Sequence, residues 1–190
     1  MGYGIMPYAV SVEVLSSPHE YTGDPEDFLA WLQELYCSDD AEAGPTPQVM
    51  RELFYAEPYT GTEGRVYGHA LESLCKRFGG LLGNDHWYPC GDRHLAAVRE
   101  TLSGLGVDLD PRDLIWSGPP VPLPEIEDRP VIGHLRRDEM GPIAAALDAA
   151  DLSAVTDRSV AGAITELHGW LRRCLEDDGR FPCDLVCFYY

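Results

Sequence analysis

The residue types best suited to chemistry crowd into one stretch, Gly83-Asn84-Asp85-His86-Trp87-Tyr88-Pro89-Cys90-Gly91-Asp92-Arg93-His94. Two of the six histidines and one of the six cysteines fall there, with Asp85, Trp87, Tyr88 and Asp92 around them. Imidazole and thiolate are good zinc ligands, and His86-x3-Cys90-x3-His94 offers three, with Asp85 or Asp92 as a fourth. Structural zinc sites show paired short spacings such as Cys-x2-Cys, however. No second pair stands here, so no metal and no cofactor is expected. The same groups could form a nucleophile–base pair, with Cys90 activated near a helix N-terminus and His86 or His94 taking its proton. No local protease signature surrounds Cys90. Recognition is a third use, since Trp87 and Tyr88 give rigid contact area on a loop, with Asp85 and Asp92 as polar partners. The remaining use is structural: the rings cap the core while the polar groups satisfy turn and helix-cap hydrogen bonds.

Other constellations fall short. Asp108-x-Asp110 resembles the opening of a calcium loop, but Asp113 occupies the glycine position and Pro119 stands where a bidentate Glu is needed. Gly61, Gly64 and Gly68 match neither the dinucleotide fingerprint nor the phosphate loop, and no Gly-x-Ser-x-Gly elbow occurs. His69 sits beside Glu72, Ser73 and Lys76 on the polar side of a helix and is expected to be solvated. His168 lies off its helical stripe, His19 in a Pro-flanked turn, and His134 in a short strand as a satisfied structural imidazole.

These groups must be held by the elements that the pattern predicts. Tyr8, Val10, Val12 and Val14 alternate with Ala9, Ser11 and Glu13, the period of a strand with one buried face. Asp24-Pro25-Glu26-Asp27 is a helix start, and Phe28, Trp31, Leu32 and Leu35 form its apolar stripe. Residues 38–47 read as a loop, and Thr46-Pro47 starts a second helix through Val49, Met50, Leu53 and Phe54. A third helix buries Tyr67, Ala70, Leu71, Leu74 and Phe78 and ends at Gly79-Gly80. The 83–94 loop leads into a fourth, carrying Leu95, Val98, Leu102 and Leu105 and stopping at Gly106. Gly118 to Pro124 favours an extended polyproline conformation and reads as a stiff connector, with a ligand for a proline-recognising domain as the functional alternative. Val131–Leu135 is a short strand, a helix runs from about Asp138 to Leu147, and the longest helix spans about Asp157 to Asp177. The chain closes on an apolar strand, Cys183 to Tyr190, which must dock inside a sheet to avoid fraying. The expectation is one α+β domain over residues 1–190, with a small sheet that includes both termini, covered by about six helices.

Composition narrows the function classes. The chain has 190 residues, enough for one ordinary core, and 45% hydrophobic content marks a folded protein. Its 32 acidic residues face 14 basic ones, for a net charge of −18. Nucleic-acid binding needs clustered Lys and Arg, so neither it nor docking to an anionic membrane is expected. Arg outnumbers Lys thirteen to one, with Lys76 the only lysine, a skew that suits a GC-rich genome. No stretch approaches the ~18 apolar residues of a membrane span, and no basic region precedes an apolar run at the start. Cytoplasmic residence is the resulting expectation. The six cysteines fit it: Cys75 and Cys174 lie on or beside apolar stripes. Cys183 and Cys187 would stand ~13 Å apart on one strand, beyond the ~7 Å that a disulfide allows.

A family resemblance rests on Tyr-Gly-His-Ala-Leu-Glu-Ser-Leu-Cys (67–75), Trp-Tyr-Pro (87–89), Pro-Val-Pro-Leu-Pro (120–124), Ile-Gly-His-Leu (132–135) and the closing Asp-Leu-Val-Cys-Phe-Tyr (184–189). With these the chain resembles an uncharacterised family of acidic proteins of about this length from high-GC bacteria. In general plan it is similar to the YfbM-like family of unknown function. The resemblance implies a single domain with sheet-forming ends and transfers no catalytic residue. Tyr190 stands where the resemblance implies a closing His.

Function is therefore not written in a motif. The reading that fits acidity without a recognisable catalytic set is a binding or regulatory protein, immunity-type in its most specific form, that neutralises a basic protein partner. The alternative is a small enzyme, of a biosynthetic pathway in its most specific form, with a pocket at the 83–94 loop. The sequence leaves the oligomeric state open.

Overall fold

In the computed structural model, residues 3–38, 44–176 and 182–190 are described. Strand β1 (Ile5–Val10) begins the chain and β4 (Asp184–Tyr189) ends it. They pair antiparallel along their full lengths, from Ile5 opposite Tyr189 to Val10 opposite Asp184. β2 (Gly80–Leu81) adds two residues to the outer side of β1, and β3 (Val131–Leu135) lies antiparallel to β4. The sheet order is β2-β1-β4-β3. An apolar closing strand is thus buried between two others, which satisfies its backbone and keeps it from solvent.

The sheet is buried on both faces, not one. Ile5, Ala9, Leu185, Cys187 and Tyr189 belong to one apolar cluster, and Tyr8, Val10, Val186 and Phe188 to the other. Alternation along a strand separates two interiors here, instead of a core from water. Helices α1 (Val12–Ser16), α2 (Pro25–Tyr36), α3 (Pro47–Phe54) and α4 (Gly64–Phe78) supply the Tyr8 side. Helices α5 (Asp92–Gly104), α6 (Asp113–Trp116), α7 (Arg137–Ala149) and α8 (Arg158–Leu175) supply the other. The architecture is an α+β domain of three layers, helix, sheet, helix.

Several local expectations are corrected. The first strand stops at Val10, because Ser11 caps a helix: its hydroxyl accepts from the Val14 N–H at 3.4 Å, and Asp184 Oδ2 accepts from the Val12 N–H at 2.9 Å. Val14 and Leu15 still point inward, now from α1. Eight α-helices stand among the described residues instead of about six; the two unforeseen ones, α1 and α6, have only five and four residues. On α2 the buried positions are Leu29 and Leu32, while Trp31 and Leu35 are exposed. Part of the 38–47 loop and the expected last turn of the longest helix at Asp177 lie outside the described residues; α8 ends at Leu175.

Two buried carboxylates brace the Tyr8 side. Glu52 on α3 accepts hydrogen bonds from Gln48 Nε2 (2.8 Å), Thr60 Oγ1 (2.5 Å) and the Tyr67 hydroxyl. Burial alone would raise its carboxyl, but these donors outweigh burial and hold it below the usual range. Glu72 on α4 accepts from the Tyr8 hydroxyl at 2.9 Å and the Tyr190 hydroxyl at 2.6 Å, with Lys76 Nζ at 3.1 Å. The only lysine is thus spent on a buried acid. Both phenols are raised by burial and by the Glu72 charge. His69 is not simply solvated: it stacks on Tyr190 with ring centroids 6.0 Å apart, and burial lowers its pKa.

Candidate functional site

The 83–94 loop packs along the outer side of β1. Asn84 Nδ2 donates to the Ile5 carbonyl at 2.6 Å, the Ile5 N–H to the Trp87 carbonyl at 3.0 Å, and the Cys90 N–H to the Tyr3 carbonyl at 2.7 Å. Those bonds turn the Trp87 ring into the core, where it is fully buried. Its Nε1–H donates to the Ala163 carbonyl on α8 at 3.0 Å, and its ring lies 5.4 Å from that of Trp170. Trp170 in turn donates to the Gly83 carbonyl at 2.6 Å. Two indoles and two carbonyls thereby fasten the loop to α8.

Each histidine of the loop is engaged. Glu166 on α8 accepts from the His86 backbone N–H at 3.0 Å and from its Nδ1 at 2.9 Å. Gly162 makes this approach possible, because a Cβ there would stand 2.2 Å from the His86 ring. His94 opens the first turn of α5 and meets Trp87 edge-on, with centroids 5.8 Å apart. Its Nε2 is buried without a hydrogen-bond partner, and burial lowers its pKa. Cys90 is buried as well, and burial pushes its thiol up to about 11. Such a thiol is protonated at neutral pH, the reverse of what a nucleophile requires. Asp85, Tyr88 and Asp92 are exposed. The fold therefore brings His86, Trp87 and His94 together against α8, sends Cys90 inward, and leaves Asp85, Tyr88, Asp92 and also the Glu166-bound His86 facing solvent. No three His, Cys, Asp or Glu side chains among the described residues are grouped to hold a metal ion.

A more open surface lies at the opposite edge of the sheet, around β3. Helix α6 lies directly over this strand: a Cβ on Gly133 would stand 2.6 Å from the Leu114 carbonyl, so glycine allows the crossing. The chain then leaves α6 at Ser117, whose hydroxyl accepts from the His134 N–H at 2.8 Å and donates to the His134 carbonyl at 2.9 Å. His134 Nδ1 donates to the Gly118 carbonyl at 2.8 Å, as expected of a structural imidazole, which leaves Nε2 as its acceptor.

Between this clamp and α7 lies a concavity of about 700 Å³. Its apolar floor includes Leu109, Leu135 and Ile143, and its acids are Asp108, Asp110, Asp113 and Glu139. No Lys or Arg lines it. Asp110 is paired with Arg99 at 3.2 Å, and Glu139 Oε2 accepts from the Arg136 N–H at 2.8 Å, while Asp108 and Asp113 are exposed. The carboxylates surround a space and do not converge on a point. Such an arrangement suits several cationic groups of one partner. Sequence reasoning met Asp108, Asp110 and Asp113 only as a failed calcium loop. The signal that it lacked was Glu139, brought in by α7 from some thirty residues downstream.

Fold and surface together define an acidic, three-layer α+β protein with a carboxylate-lined concavity at a sheet edge. The chain belongs to the DUF7691 family, a domain of unknown function whose family model matches residues 1–190. No curated protein and no solved structure matches it.

Proposed function

We propose that this is an acidic binding protein, regulatory or immunity-type, that captures a basic protein partner in the cytoplasm. The observation that carries this reading is the concavity at the β3 edge, lined by four carboxylates and no Lys or Arg, on a chain of net charge −18. A cleft lined by one sign of charge with low-dielectric walls focuses the field and raises the capture rate of an oppositely charged partner. Asp85, Tyr88 and Asp92 form a second, outlying contact region, with Trp87 supporting them from within the core. The acidic field disfavours nucleic acid and anionic lipid as partners. No helix among the described residues is long and apolar enough to cross a membrane. Similarity in plan to the YfbM-like family, and the closing Asp-Leu-Val-x-Phe-Tyr strand, are taken as likenesses of architecture.

The test is a calorimetric titration with a strongly basic model protein at about 50 and about 300 mM salt, where screening shortens from ~14 to ~6 Å. Binding at low salt that weakens at least about tenfold at high salt is expected. No binding at low salt, or salt-insensitive binding, overturns the reading.

A further inference from the structure

Helix α6 presents two different surfaces from a single turn. Leu114 and Ile115 are buried, and the Leu114 carbonyl is fixed against Gly133 of β3. Asp113 and Trp116 are left on the exposed side, with Trp116 half exposed. Residues three apart on a helix are neighbours, with Cβ atoms about 5–6 Å apart. Asp113 lines the acidic concavity, whereas Trp116 lines a separate cleft of about 270 Å³. The charged surface and the apolar one therefore meet along α6.

The cleft is apolar and firmly walled. Leu123, Pro124, Ile126, Pro130 and Val131 line it with Trp116, and no Lys or Arg does. Its volume falls below the ~300–1,000 Å³ of small-molecule pockets and suits one side chain. The proline-bearing wall is held in place. The Tyr59 hydroxyl donates to the Pro122 carbonyl at 2.7 Å, and Gly64 of α4 lies so close to the Pro124 and Glu125 carbonyls that a Cβ there would collide with them. Prolines fixed in this way lose little freedom when a ligand seats against them. A half-exposed indole beside a small rigid cleft has the character of an anchor site, since Trp is enriched where a few residues carry binding.

We propose that the Trp116 cleft takes one apolar side chain of the basic partner, next to the cationic side chains that the concavity receives. The inference rests on the reading of a basic partner and specifies a second, uncharged determinant that this partner presents. The surroundings select the occupant. Asp108, Asp113 and Glu139 stand on one side and Glu125 at the cleft itself, so the apolar residue must be flanked by Lys or Arg. An extended chain advances ~3.3 Å per residue, so a cation one or two positions from the apolar residue reaches Asp113. A second copy of this chain is a poor occupant, because two bodies of charge −18 repel.

The test is a calorimetric titration of the full chain at low salt with an end-blocked heptapeptide of Lys carrying Leu at its centre, against the same peptide with Ser for Leu. The Leu peptide should bind about tenfold tighter, as expected for one buried aliphatic side chain. Both affinities should fall between about 50 and about 300 mM salt while their ratio holds, because screening acts on charge and not on apolar contact. Trp116→Ala should bring the ratio below about threefold and leave the affinity for the Ser peptide unchanged. In the parent protein, the Trp116 indole N–H resonance should shift more with the Leu peptide than with the Ser peptide, a readout that needs no variant. Equal affinities for the two peptides, or a Leu preference that Trp116→Ala leaves intact, overturns the anchor and spares capture by charge. Light scattering that shows a dimer abolished by Trp116→Ala gives the cleft to a second copy and likewise overturns it. No binding by either peptide overturns the anchor, and failure of the basic model protein as well overturns both readings.

Discussion

The 83–94 loop and the β3 edge are opposites in how sequence relates to use. The loop concentrates two histidines, a cysteine and two large aromatics within twelve residues, and the fold consumes most of them. Trp87 is wholly buried, His86 is held by Glu166, Cys90 is turned inward, and His94 abuts the indole. The β3 edge draws on residues scattered from Asp108 to Glu139, and its carboxylates line open space. Local density of reactive side chains therefore signals packing as readily as chemistry. What distinguishes a binding surface is polar capacity left unspent after folding.

The most forceful way to break this comparison is to remove Trp87. If the loop is part of the core, Trp87→Ala loses a fully buried indole, its contact with Trp170 and the bond to Ala163. Unfolding stability should fall by about 3–5 kcal/mol, the range for large aromatic truncations. Urea unfolding followed by far-ultraviolet circular dichroism measures it. A loss below about 1 kcal/mol would make the ring a surface feature and undo the contrast.

How much of this was legible in the sequence varies with the range of the interactions. Asp24-Pro25 and Thr46-Pro47 announced α2 and α3 because capping is local: each side-chain oxygen accepts from a backbone N–H three residues on. The first strand was legible from its apolar alternation, and the last from its unbroken apolar, β-rich run. That both sheet faces are buried was not, since alternation of Tyr8 and Ala9 looks the same whether the second side meets helices or water. Val12 and Val14 misled for a related reason. Five residues hold too few periods to tell a strand from one helical turn, and the deciding contact is Asp184 on the Val12 N–H, at the far end of the chain. At the candidate sites, the residue types of the loop were visible but their orientation depended on Glu166 and Gly162 of α8. The concavity was invisible because its acids are adjacent only after α6 and α7 close around β3.

A smaller effect sharpens the comparison from the loop side. Burial lowers the pKa of His94, opposed in part by the His86 carbonyl and Asp157. The unfolded chain then takes up a proton below about pH 6.5 that the folded chain refuses. His94 thus contributes stability that is full above pH ~6.5 and is lost as pH falls toward its lowered folded value. His69, also lowered by burial, adds a slope of the same sign. Urea midpoints measured from pH 7.5 down to 5 should decline, and His94→Gln should make the decline shallower. Parallel curves for parent and variant would place His94 in solvent and make the loop as open as the β3 edge.

The smallest effect on stability is expected from the largest change in charge. Asp108→Asn, Asp113→Asn and Glu139→Gln together remove three negative charges from the concavity while keeping side-chain size. Asp108 and Asp113 are exposed, and a Gln at 139 retains an oxygen to accept the Arg136 N–H, so the capping box survives. Surface changes of this kind shift stability by no more than about 0.5 kcal/mol, and relief of repulsion acts in the stabilising direction. Affinity for a basic protein should nevertheless fall about tenfold at low salt, with a shallower salt dependence, because rim charges act on the encounter. Removing Asp85 and Asp92 in the same way subtracts charge from the loop and should change affinity less than twofold. Equal losses from the two variants would mean that net charge alone does the binding and that the concavity has no special part in it. A large loss from the triple variant and little from the loop pair locates capture at the β3 edge, where folding leaves Asp108 and Asp113 exposed around open space.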